Sequence, residues 1–535
     1  MRTLTHPACL VAIAASIAAC SQRPASWDTP PPSQPLQAYG LLSAVIVLDD
    51  PLHRAVALQP HAGQTLDRDD MPIGHQLLSA QVAPDLSRLF VLSAGDAPRR
   101  SEQDQYPSLT VIDGSTSSLK SQRYDMAEPL SNLAIDPEGH WVAAFAGSGN
   151  ATSFVENPNE IVLFDLTKPP GTSNPVSRTI RSFGGTPQRL MFTPTLQLPA
   201  GPRRLLVIET DRDVSLLDLD HAADTPPRPE ITVRLTNGSD TRILTPAGAV
   251  VDDGDPTRTD DARVAVWTTN DTNVITLQLA PSAAGSPNDF EPVINLTDVG
   301  GTPSQLSFVH TDGGLRVAAL VPSLTSAVLV EPDTSVTEAV QFPAAYGSLA
   351  IVTGVTGSGA GGTDVALLWN ASSAGGVAFW TLGVTAGQPY RSVEVLGISD
   401  DVQSVLDVPD PHPELKVLET KSGSAFYVLD LSTRTAAPLE TLSSASITVS
   451  PDGQRAWAFE PHGSELAALD LSTLHPVPLY VDRPIDAVFD VKRDDGGRGL
   501  VVLDGDGNVG ATVFDALAPD TATSRLYSGL LLEGL

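Results

Sequence analysis

Cysteine is the scarcest residue in this chain. Its two copies, Cys9 and Cys20, both fall within the first twenty residues, so the long remainder cannot form a disulfide or a C-x-x-C metal or redox site. The catalytic motifs G-x-S-x-G, H-E-x-x-H and G-K-[ST] are absent as well. A catalytic triad assembled in space from distant loops stays open, because its members need no fixed spacing in the sequence.

Basic residues are also few. Lys and Arg total 32 against 63 Asp and Glu, which gives a formal net charge of −31. The excess is spread along the chain, so the surface repels nucleic acid and anionic lipid headgroups, and we expect no nucleic-acid partner. Aromatic residues make up only 5%, while 45 prolines and 42 glycines accompany a hydrophobic fraction of 41%. This balance favours a folded chain of short strands and many turns over collagen or disorder.

The apolar run from Ala8 to Ala19 follows a basic residue and leads directly into Cys20. It is too short to cross a bilayer core of about 30 Å, which needs about 20 residues, so it reads as a signal sequence. The segment Ile17-Ala18-Ala19-Cys20 resembles the lipobox of bacterial lipoproteins. The resemblance implies a signal peptide over residues 1–19 and a diacylglyceryl thioether on Cys20, the new N-terminus. The alternative is an ordinary secretory signal with an incidental cysteine.

The residues after Cys20 are expected to form a tether. Ser21 to Ala38 contains five prolines and almost no apolar periodicity. In an extended polyproline conformation this segment spans up to about 55 Å. Ser21, in place of Asp, implies by the same resemblance the outer membrane of a Gram-negative host. We therefore expect a lipidated linker over residues 20–40, membrane contact through the lipid alone, and a folded domain over residues 41–535.

A repeated unit fills the rest of the chain, and Ser444 to Thr473 is its clearest copy. Three apolar runs are separated there by two turn signals, one of them Pro451-Asp452-Gly453, which predicts a three-stranded meander. Nine copies recur at a mean spacing of about 51 residues, a period typical of propellers. Clear copies begin at Ala83, Asp136, His310, Ser450 and Lys492, and degenerate copies begin near Thr193, Thr245, Thr353 and Val408.

These copies resemble the WD40-like and YVTN-type repeats of β-propellers, in which S-P-D-G turns link two strands and an apolar-Asp-x-Thr pattern ends the third. The resemblance implies an all-β fold with a single propeller, and we expect eight blades, with seven or nine as alternatives. The segment from Leu41 to Leu58 reads as two strands around a turn at Asp49-Asp50-Pro51. Because its opening strand is not visible, we expect it to close the ring by joining the last blade.

Two acidic segments are candidate calcium sites, and calcium is the one cofactor that the sequence suggests. Asp504, Asp506 and Asn508, with Asp515 further on, have the spacing of a calcium loop, but Val509 occupies the position where that loop needs Gly. The alternative is a Gly-rich hairpin between two blade strands. The second segment is a dense acidic loop, for which simple solvation is the alternative to a cation site. Its members are Asp252, Asp253, Asp255, Asp260 and Asp261.

Together these features predict a lipid-anchored protein of the cell envelope whose propeller loops bind another envelope protein or surface component. Catalytic residues cannot be assigned from the sequence. The alternative is a propeller hydrolase or lactonase that uses a divalent cation at the central channel, since the YVTN resemblance extends to such enzymes. No residue here matches their active-site motifs.

Overall fold

A computed structural model describes residues 36–147, 154–171, 174–236, 244–254, 258–352, 364–371, 376–383, 391–421, 425–439, 446–505 and 509–532. In this part of the chain, 42 strands form ten four-stranded antiparallel sheets and one two-stranded hairpin. Each four-stranded sheet uses strands that are consecutive in the sequence, except where the hairpin interrupts the fourth. We number the sheets 1 to 10 and label their strands A to D in chain order.

The first five sheets span residues 38 to 298 and include the inserted hairpin. Sheet 1 contains β1 (Ala38–Gly40), β2 (Val45–Asp49), β3 (Arg54–Pro60) and β4 (Leu66–Pro72). Sheets 2 and 3 contain β5 (Leu77–Val82), β6 (Arg88–Ser93), β7 (Ser108–Asp113), β8 (Lys120–Asp125), β9 (Asn132–Ile135), β10 (Trp141–Phe145), β11 (Glu160–Asp165) and β12 (Val176–Thr179). Sheet 4 contains β13 (Pro187–Phe192), β16 (Leu205–Thr210), β17 (Asp213–Asp218) and β18 (Ile231–Arg234), interrupted by the hairpin of β14 (Leu196–Leu198) and β15 (Gly201–Arg203). Sheet 5 contains β19 (Pro246–Asp252), β20 (Arg263–Thr268), β21 (Asn273–Pro281) and β22 (Phe290–Asp298).

The remaining five sheets follow without interruption. Sheets 6 and 7 contain β23 (Gln305–Thr311), β24 (Gly314–Val321), β25 (Ser326–Val330), β26 (Thr337–Gln341), β27 (Tyr346–Val352), β28 (Val365–Ala371), β29 (Val377–Thr381) and β30 (Val393–Leu396). Sheets 8 and 9 contain β31 (Val402–Asp407), β32 (Leu415–Thr420), β33 (Phe426–Asp430), β34 (Thr435–Leu439), β35 (Ser446–Val449), β36 (Arg455–Phe459), β37 (Glu465–Asp470) and β38 (Pro476–Tyr480). Sheet 10 contains β39 (Ala487–Lys492), β40 (Arg498–Asp504), β41 (Gly510–Asp515) and β42 (Arg525–Ser528). Single 3-10 turns occur at Asp50–Leu52, Ala62–Gln64, Pro322–Leu324 and Thr521–Thr523.

The two central strands of each sheet are buried on both faces, and sheet 9 shows how the sequence achieves this. Along β36, the small residues Ala456 and Ala458 pack toward sheet 8. Trp457 and Phe459 alternate with them and pack toward sheet 10. Because successive side chains of a strand point to opposite faces, one short apolar run fills two interfaces at once.

The sheets close into a ring. Ten hydrophobic clusters each join two consecutive sheets, and one of them joins sheet 10 to sheet 1. Contacts between the A strands, including β1 with β39, place these strands on the inner side of the ring. The chain is therefore an all-β, single β-propeller, and each sheet is one blade.

The described residues form ten blades, so the expected count of eight and the alternatives of seven and nine are wrong. The nine sequence units correspond to blades 2 to 10, and the segment from Leu41 to Leu58 belongs to a complete tenth unit, blade 1. Its opening turn lacks Pro and Gly because neighbouring blades hold it: the Leu42 amide donates to the Leu86 carbonyl (2.9 Å), and the Ser43 hydroxyl donates to the Gly114 carbonyl (2.8 Å).

Ring closure also differs from the expectation, because blade 1 gives no strand to blade 10. The two blades meet through side chains, with Val45 and Val47 packed against Val501 and Leu503. The buried Arg54 guanidinium also donates to the Leu531 carbonyl. The C-terminal residues thus join blade 10 to blade 1 through side-chain contacts, without a sheet that both blades share.

The alternating strand directions give the ring two different faces. We call the face with the A-to-B and C-to-D loops the AB face. The BC face carries the B-to-C loops and the connections from each D strand to the next A strand. Within the described residues, no helix has the length and hydropathy that a bilayer-crossing segment needs.

Candidate functional site

Exposed aromatic side chains concentrate on the BC face of three consecutive blades. Among the described residues, four aromatic side chains are more than two-fifths exposed. Tyr106 (45%), Phe154 (44%) and Phe183 (55%) lie on the BC-face loops of blades 2, 3 and 4, and the fourth, Tyr480, lies on the outer strand of blade 9. In a chain with so few aromatic residues, this grouping makes the BC face of these blades a candidate binding surface.

The B-to-C loop of blade 2, residues 94–107, organises this surface. The Asp96 carboxylate accepts a hydrogen bond from the Gln105 backbone N–H (2.7 Å), which joins the two ends of the loop. The Gln105 side-chain oxygen accepts one from the His75 backbone N–H (2.7 Å), which ties the loop to the connection from blade 1. Gly95 has a positive φ of 65°, and a Cβ there would lie 2.4 Å from the Gln105 carbonyl oxygen. A rigid loop of this kind holds its side chains in fixed positions.

Two histidines and a carboxylate meet at the junction of blades 1 and 2. The rings of His53 and His75 lie 4.1 Å apart between centroids, and His75 Nδ1 is 2.8 Å from Asp96 Oδ1. The hydrogen bonds from Gln105 and His75 hold the pKa of Asp96 below its ordinary value, so this carboxylate stays charged and fixes the orientation of the His75 ring.

A cleft of about 510 Å³ opens between blades 2 and 3. Its walls contain Pro98, Pro107, Pro129, Phe154 and Val155, and its charged residues are Arg99, Glu128 and Glu156. We call it the Phe154 cleft. Apolar side chains combined with a few charged groups are typical of the lining of sites that bind other molecules.

Two contacts position the walls of the Phe154 cleft. The Arg99 guanidinium lies 3.4 Å from the centroid of the Tyr106 ring, a cation–π contact that orders the blade 2 loop. On the other side, the Glu128 carboxylate accepts the backbone amides of Glu156 (2.7 Å) and Asn157 (3.3 Å). The segment that carries Phe154 is thereby tied to the preceding blade.

The acidic loop that the sequence singles out lies elsewhere, on the AB face of blade 5. Asp252 ends β19 and accepts the Gly254 amide (2.8 Å), while Asp253 accepts the Gln197 amide from the inserted hairpin (2.6 Å). Burial raises the pKa of Asp253, and the nearby Asp252 and Asp261 carboxylates add to the rise. Here Asp253 joins the hairpin to the loop, while Asp255 lies outside the described residues.

A second cleft of about 510 Å³ opens beside this loop, between blades 5 and 6. Its arginines are engaged with carboxylates: Arg263 lies 2.7 Å from Asp333, and Arg316 lies 3.3 Å from Glu331. These pairs neutralise each other, so the cleft presents no uniform charge to a ligand.

The calcium-loop candidate in blade 10 is divided by a strand. Asp504 ends β40 and pairs with Gly510, whereas Asp515 ends β41 at the opposite end of the same hairpin. Five residues of strand separate the two ends by about 16 Å, so Asp504 and Asp515 cannot share a cation. Asp504 lies 3.3 Å from Arg483, and Asp506 and Asn508 fall outside the described residues.

Among the residues that the structure describes, no group of three or more His, Cys, Asp or Glu side chains could hold a metal ion. Cys20 and the signal segment also lie outside these residues. The sequence analysis missed Tyr106, Phe154, Phe183, His53 and His75. Its available signal was the occurrence of rare aromatic residues inside loops rather than in apolar strand runs.

Comparisons with other proteins give similarity of fold alone. No protein-family model matches the chain, and no curated protein matches it. Among solved structures, the dihydro-heme d1 dehydrogenase NirN has 13% identity and a TM-score of 0.40, over 85% of this chain and 76% of that one. Apo AztD from Citrobacter koseri has 12% identity and a TM-score of 0.34, over 74% and 95%. A eukaryotic initiation factor has 10% identity and a TM-score of 0.42, over 93% and 96%. Similarity at this level carries no information about activity.

Proposed function

We propose that this protein is a lipid-anchored binding module of the cell envelope that holds a protein partner on the BC face of its propeller. The observation that carries the proposal is the exposure of Tyr106, Phe154 and Phe183 on BC-face loops of consecutive blades, with Phe154 in the wall of the Phe154 cleft. Burying one such aromatic side chain contributes about 1.5–3 kcal/mol, so three together supply the anchors of a specific interface.

The fold supports this role because the ring is a rigid frame for its loops. Ten interlocked hydrophobic clusters hold the blades, and side-chain to backbone hydrogen bonds tie neighbouring A strands together. For example, the Gln305 side chain of blade 6 both donates to and accepts from the backbone of Leu349 in blade 7, each at 2.9 Å. Little conformational entropy is then lost when a partner binds.

The lipid anchor is the second part of the proposal, and the sequence around Cys20 supports it. Metabolic labelling with radioactive palmitate tests it directly: the wild-type protein should carry label, and the Cys20→Ala variant should not. Equal labelling of both proteins would contradict the anchor while leaving the binding face untouched.

The binding role is tested by affinity capture of the full-length protein from its own gently solubilised envelope. We expect Phe154→Ser to weaken retention of the partner about 30-fold, the effect of losing about 2 kcal/mol at an interface hot spot. Tyr480→Ser is the matched control, because it removes an exposed aromatic side chain from the outer strand of blade 9. Failure of the wild-type protein to retain any partner, or an equal loss in both variants, would contradict the proposal.

A further inference from the structure

The two ends of the described chain lie together on the BC face, where blades 1 and 10 meet. The Gln37 carbonyl accepts the Leu48 amide (2.9 Å), which fixes the residues before β1 alongside the end of β2. Leu36 packs against the cluster that contains Val509, Leu530 and Leu531. The segment that leads back toward Cys20 therefore leaves the ring from the BC face.

The C-terminal residues on which Leu36 packs are firmly held. The buried Arg54 donates to the Leu531 carbonyl, and Arg68 donates to the Leu532 carbonyl (2.9 Å). Arg54 also lies 2.9 Å from the buried Asp49 carboxylate. The start of the tether is held beside these C-terminal residues, because β1 pairs with β2 and Leu36 packs on Leu530 and Leu531. It cannot reach the AB face without breaking this pairing.

The length of the tether restricts which face of the ring can be turned toward the membrane. The sixteen residue steps from Cys20 to Leu36 reach about 50 Å in a polyproline II conformation. To turn the AB face toward the membrane, the tether would have to cross a blade of four strands, about 14 Å, and pass along a six-residue strand, about 20 Å. The remaining length of about 15 Å would press an acidic protein against lipid headgroups, which its charge opposes.

We infer that the BC face is directed toward the membrane that holds the anchor, and that the Phe154 cleft binds the membrane-adjacent segment of an integral membrane protein in that membrane. This inference rests on the proposed function. It follows from the place where the tether leaves the ring, on the same face as the Phe154 cleft and two blades away from it.

The cleft also specifies the chemistry of that segment. Its proline and phenylalanine walls fit apolar side chains, while its two carboxylates, Glu128 and Glu156, outnumber its one cation, Arg99, which is stacked on Tyr106. An apolar segment that includes Lys or Arg complements both features, whereas anionic lipid headgroups match neither.

Orientation is tested with the purified lipidated protein in vesicles that contain headgroup spin-labelled lipid. Because Cys20 is acylated and Cys9 leaves with the signal, Phe154→Cys and Val336→Cys each give one site for a fluorophore. Val336 is 61% exposed on an AB-face loop and serves as the matched control. We expect at least twofold stronger quenching at position 154, and equal or weaker quenching there would overturn the inference.

The partner class is tested by photo-crosslinking in the intact envelope, with a benzophenone amino acid in place of Phe154 or of Val336. We expect crosslinks from position 154 alone, on a peptide next to a membrane-spanning segment and rich in apolar and basic residues. A crosslink to a protein without a membrane span would overturn the inference and leave the binding function standing. The absence of any protein crosslink at position 154 would instead contradict the binding function itself.

Discussion

Asp490 is a buried carboxyl group whose ionisation should weaken the propeller. It lies on the inner strand of blade 10 and is only 9% exposed. Its carboxylate lies 2.6 Å from the Arg498 Nε and accepts the indole N–H of the fully buried Trp457 from blade 9 (3.1 Å). Burial raises the pKa of Asp490 to about 6 despite these two donors, and the nearby Asp452 carboxylate adds to the rise.

The sign of the pH effect follows from this shift. In the unfolded chain Asp490 has its ordinary pKa of 3.8, so between roughly pH 4 and 6 the folded protein binds the proton more tightly than the unfolded chain. Its contribution to stability is therefore fully present below pH 4 and is lost as the pH rises through 6. A shift of about two pH units corresponds to ~3 kcal/mol in the free energy of unfolding.

The comparison of wild type with Asp490→Asn isolates this contribution, because asparagine keeps the shape and stays neutral. We expect the unfolding free energy of the wild type, relative to the variant, to fall by ~3 kcal/mol between pH 4 and pH 7. Trp457 gives an independent reading: the fluorescence difference between wild type and Trp457→Phe should titrate with a midpoint near pH 6. A relative stability that rises with pH would refute the reasoning, because it would mean that Arg498 keeps the carboxylate ionised.

Three further predictions concern the ring. Arg54→Ala should lower the free energy of unfolding by about 3–5 kcal/mol, because it leaves the Asp49 carboxylate buried without its ion-pair partner. Lys416→Ala, which breaks an exposed pair with Asp407, should lower it by less than about 1 kcal/mol. Denaturant unfolding compares the two variants, and equal losses would contradict the closure described for blades 1 and 10. Ala456→Leu should overpack the interface of blades 8 and 9 and cost about 1–3 kcal/mol in the same assay, and an unchanged midpoint would show that the interface has room. Calcium chelation should leave the melting temperature unchanged, and a clear drop would restore a calcium site in one of the acidic loops.

The repeated meander was readable from the sequence because its signals are local. Pro451-Asp452-Gly453 presets a turn by backbone preference alone, and the alternation of Ala456 and Trp457 reports a strand buried on both faces. The all-β propeller follows from such units, since none can cover its own apolar faces. The outer strands escaped prediction because they have one exposed side; in β38, for example, Val477 and Tyr480 face solvent.

The number of blades, the closure and the face proposed for binding depend on tertiary structure. The opening turn of blade 1 contains no Pro or Gly, because hydrogen bonds to Leu86 and Gly114 of the next blade hold it in place. A contact between residues far apart in the chain leaves no local sequence pattern. For the same reason, Phe154 and His75 gain meaning only when loops from separate blades meet on one face. The sequence by itself thus determined the repeating unit and the kind of ring, while packing between distant segments determined how many units close it and which side chains they bring together.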